Sequence, residues 1–207
     1  MIEQPFKDLV AALAAKSPTP GGGAAAAMSA CLGASLFVMV IRFSRGKKAT
    51  LDHDSQLAAV EDQLLSLLSD LEPMAGRDCS SFDAVSAAYK LPKESEAEQE
   101  ARNQAIEAGM LGAMVVPAAT LASIRDVLKT VVPVLALVGR NIASDLGSGT
   151  EMLVAGAEGA FLNVRINAAY LKDRATAESA LEQNGAILAE VRDIQSSIRE
   201  TVETMLT

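Results

Sequence analysis

The stretch FLNVRINAAY carries Asn163 and Asn167 four residues apart, so on a helix both amides face one side. Each amide offers hydrogen-bond donors and an acceptor, the equipment for reading a polar ligand or for tying two helices together. Asn141 and Asp145, in RNIASDLG, have the same spacing, and Asp145 ahead of Gly147 also fits a helix N-cap. Two further carboxylates, Asp78 and Asp83, flank Phe82 in RDCSSFDAVSAAY. Five residues turn them about 140° apart on a helix, so a single site takes only one of them unless Pro73 distorts the run. Asp83 is followed by Ala84, Val85, Ala87 and Ala88, which predicts that it is the buried one. A buried carboxylate suits general acid–base work, although pairing with an Arg or Lys accounts for it equally well.

These groups need a scaffold, and the stretch PTPGGGAAAAMSACLGASLFVMVIRFSRGKK (Pro18–Lys48) supplies its centre. Pro18 and Pro20 exclude a helix interior, whereas Ala24–Ile41 holds no charge and is rich in helix formers. The spacing predicts a helix over Ala24–Arg45, buried on all sides and ended by Gly46 beside Lys47 and Lys48. At its start, Gly21, Gly22 and Gly23 let a ligand approach unpaired helix N–H groups, or simply form a tight turn into a core helix. No Gly-Lys-Ser/Thr follows the glycines, so an ATP or GTP loop is rejected.

Elsewhere the apolar period is also helical: Ile2–Ala15, then Asp52–Tyr89 with a restart at Pro73. A break at Leu91, Pro92 and Lys93 precedes a solvated run, Glu94–Arg102. Helix resumes over Ala101–Lys129 with a kink at Pro117, is interrupted at Val131–Pro133, and returns from the Asp145–Gly147 region to Leu171. An amphipathic helix spans Ala175–Met205. No strand is required. The expected fold is all-α, one domain over residues 1–207, a bundle of long, partly kinked helices around a buried apolar helix.

Half of the 207 residues are hydrophobic and only 3% aromatic, which favours closely packed helices built from small side chains. A net charge of −8 argues against nucleic-acid binding. Two cysteines, Cys31 and Cys79, and one histidine, His53, which is expected to be exposed, provide no disulfide framework and no zinc site. The start MIEQPFKDLV is not patterned as a signal peptide. Ala24–Ile41 reaches the minimum span for a membrane, but its Ala, Gly, Ser and Cys content fits a core helix better.

Taken together, SPTPGGGAAAA, the GKK after the second helix, SFDAVSAAYKLPK, the SD of NIASDLG and EGAFLNVRINA resemble the cyclodeaminase/methenyltetrahydrofolate cyclohydrolase family. This family comprises the C-terminal domain of formiminotransferase-cyclodeaminase and stand-alone bacterial cyclohydrolases. The pieces occur in the family's order from Ser17 to at least Leu171. The resemblance implies a cytoplasmic, all-helical homodimer that acts on a one-carbon unit carried by tetrahydrofolate. It also implies no membrane, no nucleic acid, no metal and no permanently bound cofactor. On the matching positions it implies Asp83 or Asp145 as the acid/base, with Lys48 tuning it or touching the ligand. Gly21, Gly22, Gly23, Lys47, Lys93, Asn141, Asn163 and Asn167 would bind the folate, the amides orienting the pterin edge and the lysines drawing in the glutamate tail. The resemblance leaves cyclodeaminase and cyclohydrolase undivided. It departs at Arg42–Arg45, where the family has Asn-Leu-Thr before Gly-Lys-Lys, and at Ala49–Thr50. Because that departure is expected to border the cleft, a helical protein that binds folate without turnover, or serves only as structure, is the competing reading.

Overall fold

A computed structural model describes residues 5–207, so the predicted helix residues before Pro5 lie outside the described part. Among the described residues seven α-helices follow one another: α1 (Phe6–Ala14), α2 (Gly22–Ser44), α3 (Asp54–Leu71), α4 (Met74–Tyr89), α5 (Glu96–Val131), α6 (Ala143–Tyr170) and α7 (Arg174–Leu206). Short 3₁₀ turns occupy Leu51–His53, Val132–Leu137 and Arg140–Ile142. Among the described residues there is no strand, as the composition predicts.

Punctuation set by individual residues explains the boundaries. Gly46 takes φ +64°, the left-handed value that ends α2 without steric cost. Pro73 separates α3 from α4, as expected. The start of α5 comes earlier than the periodicity predicts, because Ser95 and Glu98 form a capping box. Ser95 Oγ accepts the Glu98 N–H at 3.3 Å, and Glu98 Oε2 accepts the Ser95 N–H at 2.9 Å. Asp173 caps α7 through the N–H groups of Ala175 and Thr176. Asp145 is not a cap; it lies inside the first turn of α6, after Ile142.

The core is formed where α2 and α6 run antiparallel in close contact, with α3, α5 and α7 around them. Their backbones nearly touch. A methyl group on Gly33 would stand 2.7 Å from the Gly149 carbonyl oxygen, and one on Gly156 would stand 2.8 Å from that of Ala26. Phe37, Ile41, Leu121, Leu128, Leu146 and Leu153 close the interior with no exposed surface. The expectation that α2 is buried on all sides fails. Twelve of its residues are buried, but Leu32 and Phe43 are each 54% exposed, Leu32 at an apolar groove shared with α1 and Phe43 at one shared with α3.

Arg42 and Arg45, the positions of the departure, belong to a clamp between α2 and α3. Glu61 receives Arg42 Nε and Arg45 Nη1, each at 2.6 Å, while Asp54 Oδ1 accepts the Gly46 N–H at 2.8 Å. Arg42 first and Arg45 second hold the Glu61 carboxyl below its ordinary range, and the Gly46 N–H followed by Arg45 does so for Asp54. Depressed carboxylate pKa values stabilise the fold above the unfolded values near pH 4, and this contribution is lost as pH falls through the folded values. Glu61 is 8% exposed, so Glu61→Ala removes a nearly buried partner. We expect it to cost about 2 kcal/mol, with a fall in Tm of about 4–8 °C and a weaker loss of stability below pH 5. Thermal melts at pH 7 and pH 4 check both effects.

Candidate active site

Gly21 is the N-cap of α2 and brings no side chain to the first-turn N–H groups, and that turn contains no acid of its own. The missing negative group comes from α4. The carboxylate of Asp78 is seated against Gly23, next to the first-turn N–H groups of α2 and close enough to that of Ala24 to feel it. A methyl on Gly23 would fall on Asp78 Oδ1 and lie 2.6 Å from Cγ, so only glycine admits this approach. Asp78 is half-buried; loss of water raises its pKa, and the Ala24 N–H partly offsets the rise. Asn163 of α6 completes the corner, with Nδ2 3.3 Å from where a Gly22 methyl would stand and donating to the Gly159 carbonyl at 2.8 Å.

Asp83, by contrast, is exposed. The expectation that it is the buried carboxylate is wrong for a reason of helical phase. Asp78 follows Met74 by four residues and precedes Val85 by seven, which puts it on the buried face of α4 with both. Asp83 lies about 140° around the helix from it. The run of small apolar residues after Asp83 concealed this, since Ala84 and Ala87 are exposed themselves. The spacing of Asp78 from Met74 and Val85 was the signal that identifies it.

Asn167, expected to bind ligand, has a structural task. Pro117 continues α5 without an N–H, which leaves the Ala113 carbonyl without its helical donor. Asn167 Nδ2 reaches across from α6 and supplies that donor at 3.0 Å. We expect Asn167→Leu to lose about 1–3 kcal/mol by orphaning a buried carbonyl. Placing it on Pro117→Ala, which restores the backbone donor, shrinks the loss; denaturant melts of the single and double variants test this.

The remaining predicted residues are elsewhere. Lys93 is exposed beyond the end of α4, with its carbonyl bound by the Gln99 side chain, in a small polar hollow with Arg102 and Asn103. Lys47 and Lys48 are exposed in the turn after α2. Asn141 faces the first of them: a methyl on Gly139 would lie 2.8 Å from Asn141 Oδ1 and 3.7 Å from Lys47 Nζ. Half-buried Asp145 follows one turn later. The expected single pocket is therefore divided: one group stands at each end of α2, whose 23 residues separate them by about 33 Å, and Asp83 and Lys93 belong to neither. His53 is exposed, Cys31 and Cys79 are free thiols, and among the described residues no three metal-ligating side chains converge.

The family model for formiminotransferase-cyclodeaminase matches residues 5–185. Methenyltetrahydrofolate cyclohydrolase of Methylorubrum extorquens is 38% identical over 192 residues, covering 93% of this chain and 92% of that protein. Formimidoyltransferase-cyclodeaminase of Gallus gallus is also 38% identical, over 84% of this chain but only 31% of its own length. The crystal structure of formiminotetrahydrofolate cyclodeaminase from Thermotoga maritima superposes with a TM-score of 0.88 over the whole chain and 99% of that protein, at 22% identity, and so shows the same fold. On these grounds, with the triple-glycine helix start and its carboxylate in place, the chain belongs to the formiminotransferase-cyclodeaminase family.

Proposed function

We propose that this chain hydrolyses 5,10-methenyltetrahydrofolate, with Asp78 as the acid/base. The observation that carries the reading is a desolvated carboxylate held at the bare N-terminus of α2, where glycines open the backbone to a ligand. The carbon bridging two nitrogens in the substrate is a cationic amidinium, which a carboxylate stabilises. Asp78 takes a proton from water as the water oxygen bonds to that carbon, giving a neutral hydroxyl adduct. The carbon–nitrogen bond then breaks as that proton passes to the departing nitrogen; the remaining hydroxyl proton is released to solvent, leaving the formyl carbonyl. A carboxyl with a raised pKa is suited to both halves of this exchange. The first N–H groups of α2 and the amide of Asn163 are placed to orient the pterin.

Hydrolysis takes precedence over deamination because the stand-alone relative matched along nearly its full length carries the cyclohydrolase name. Cyclodeamination is the second reading, favoured by the relatives and the fold neighbour that carry that name, and in it the same carboxyl protonates leaving ammonia. The reading without turnover loses its motive, since Arg42 and Arg45 bind α3 rather than line the glycine corner. We further take the protein to be a soluble cytoplasmic homodimer without resident metal or cofactor and without membrane or nucleic-acid partners. The acidic charge speaks against a nucleic-acid partner, and the burial of more than half of the apolar stretch of α2 speaks for a core helix there rather than a membrane span. The test is the near-UV absorbance of methenyltetrahydrofolate, which should decay faster than its spontaneous rate without detergent. Ammonia release from formiminotetrahydrofolate with no such decay would select the second reading, and no turnover of either would refute both.

A further inference from the structure

The helix α2 begins at Gly22, yet the two helices that flank its start run on past it. Along α6 the contacts pass from Gly149 with Gly33, through Gly156 with Ala26, to Asn163 with Gly22. Along α4 they pass from Met74 and Ala75, clustered with Ala24 and Ala27, to Asp78 with Gly23. Both helices then continue over α5, Val85 beside Gly109 and Asn167 beside Ala113, while α4 and α6 hardly meet each other. Beyond the glycines the place of α2 is left as a trough one helix wide, about 10 Å, with α5 as its floor. The first helix does not fill it, because α1 turns back along α2 with Phe6 and Leu13 over the groove of Met28 and Leu32.

Helical phase shows what lines the walls. On α4, Phe82 and Tyr89 follow Asp78 by four and eleven residues, within about 40° of its face. On α6, Ile166 and Tyr170 follow Asn163 by three and seven, within about 60°. They continue the sides that Asp78 and Asn163 turn to α2, and with no α2 over them they are 40%, 45%, 52% and 58% exposed. Both tyrosines of this aromatic-poor chain therefore stand on the trough. Its open end is cationic. Arg102 Nε and Nη2 donate to the Tyr89 carbonyl at 3.3 and 3.2 Å, and the guanidinium lies 5.4 Å from the centre of the Tyr89 ring. Lys93 shares a polar hollow with it. Glu98, one turn before Arg102, is taken up by the Glu94 and Ser95 N–H groups. Among the described residues neither cation has an ion-pair partner.

We propose that this trough takes the aminobenzoylglutamate half of the folate, its ring between Phe82 on one wall and Ile166 and Tyr170 on the other, its carboxylates at Arg102 and Lys93. The proposal rests on the folate reading of the Asp78 corner, and the direction follows from the ligand. A nitrogen of the one-carbon bridge also carries the aminobenzoyl ring, so with the bridge at Asp78 and the pterin on the glycines, that ring is the next group outward. Phe82 and Ile166 stand at its level, about 6 and 4.5 Å along their helices from Asp78 and Asn163. From Asp78 to Tyr89 the wall measures about 16 Å, more than the two fused rings of a pterin fill. Flat aromatic faces and an apolar wall suit a benzoyl ring. The Tyr89 carbonyl occupies one side of the Arg102 guanidinium and leaves its Nη1–Nη2 edge free for a carboxylate. These contacts are remote from the reacting atoms, so they act through KM.

A pair of substrates tests it. Lys93→Ala with Arg102→Ala removes two exposed charges and is expected to raise KM for methenyltetrahydrofolate about tenfold, with kcat within about twofold. With the same folate carrying both glutamate carboxyls as amides, wild type and the paired variant should share one KM. A second arm needs no turnover. Tyr89 and Tyr170 are the only tyrosines, so ring-labelled tyrosine gives the whole protein two NMR signals. Both should shift on adding p-aminobenzoylglutamate, and shift less in the paired variant at the same concentration. Unmoved tyrosine signals overturn the inference while leaving the folate reading in place. So does a paired variant whose KM stays at the wild-type value, or rises equally for acid and amide. If wild type turns over no folate, the folate reading falls and the tyrosine signals still decide whether the trough binds this group.

Discussion

Asp78→Asn lowers kcat by about 10²–10⁴, the range of a lost general acid–base, and changes KM only a few-fold. The substitution keeps an oxygen beside the first-turn N–H groups of α2 and fits the same space beside Gly23, so the fold is retained. It also removes a desolvation penalty. The folded pKa of Asp78 is raised, so its stability contribution is fully present below the unfolded value near 3.9. That contribution is lost as pH rises through the folded value, which leaves the ionised group costly at neutral pH. Asp78→Asn is therefore expected to melt higher than wild type at pH 7 while being nearly inactive. Asp83→Asn, on an exposed position one face away, should keep wild-type rate and Tm. Steady-state kinetics and thermal melts of the two variants make the comparison. Loss of activity in Asp83→Asn with Asp78→Asn unaffected would reverse the assignment.

Gly23→Ala is the second large effect, and it acts through Asp78. The added methyl overlaps Asp78 Oδ1, and the carboxylate must swing away from the start of α2. A displacement on the order of 1 Å at a reacting group costs about 10²-fold in rate. Stability should change little, because alanine is favoured over glycine inside a helix by about 1 kcal/mol, which offsets part of the crowding. In the Asp78→Asn background the same substitution should cost almost nothing further in rate, since both changes act on one group. Full additivity of the two losses would show that Gly23 serves the ligand directly.

The helices were legible because their signals are local. Apolar spacing, Pro73 and Gly46 give most of the element boundaries, and Ser95 with Glu98 three residues on would have placed the start of α5 as well. The tertiary assignments were harder. Burial of Asp78 rather than Asp83 follows from the phase of α4, and that phase is fixed by Met74 and Val85 rather than by the residues next to either acid. The role of Asn167 depends on a carbonyl in another helix that lost its donor to Pro117, a pairing fifty-four residues apart that no local pattern announces. Arg42 and Arg45 look like cleft residues beside the lysines, yet Glu61 on α3 draws them to the other side of the turn. The expectation of one pocket was testable on length alone: residues at the two ends of a 23-residue helix stand about 33 Å apart.

A crystal of the protein with a stable methenyltetrahydrofolate analogue examines the central claim most directly. The Asp78 carboxylate should lie within hydrogen-bond reach, about 3 Å, of the one-carbon bridge or its attacking water, with the pterin over Gly21–Gly23. An analogue bound with its bridge beside Asp83, or in the apolar groove between Phe6 and Leu32, would contradict it.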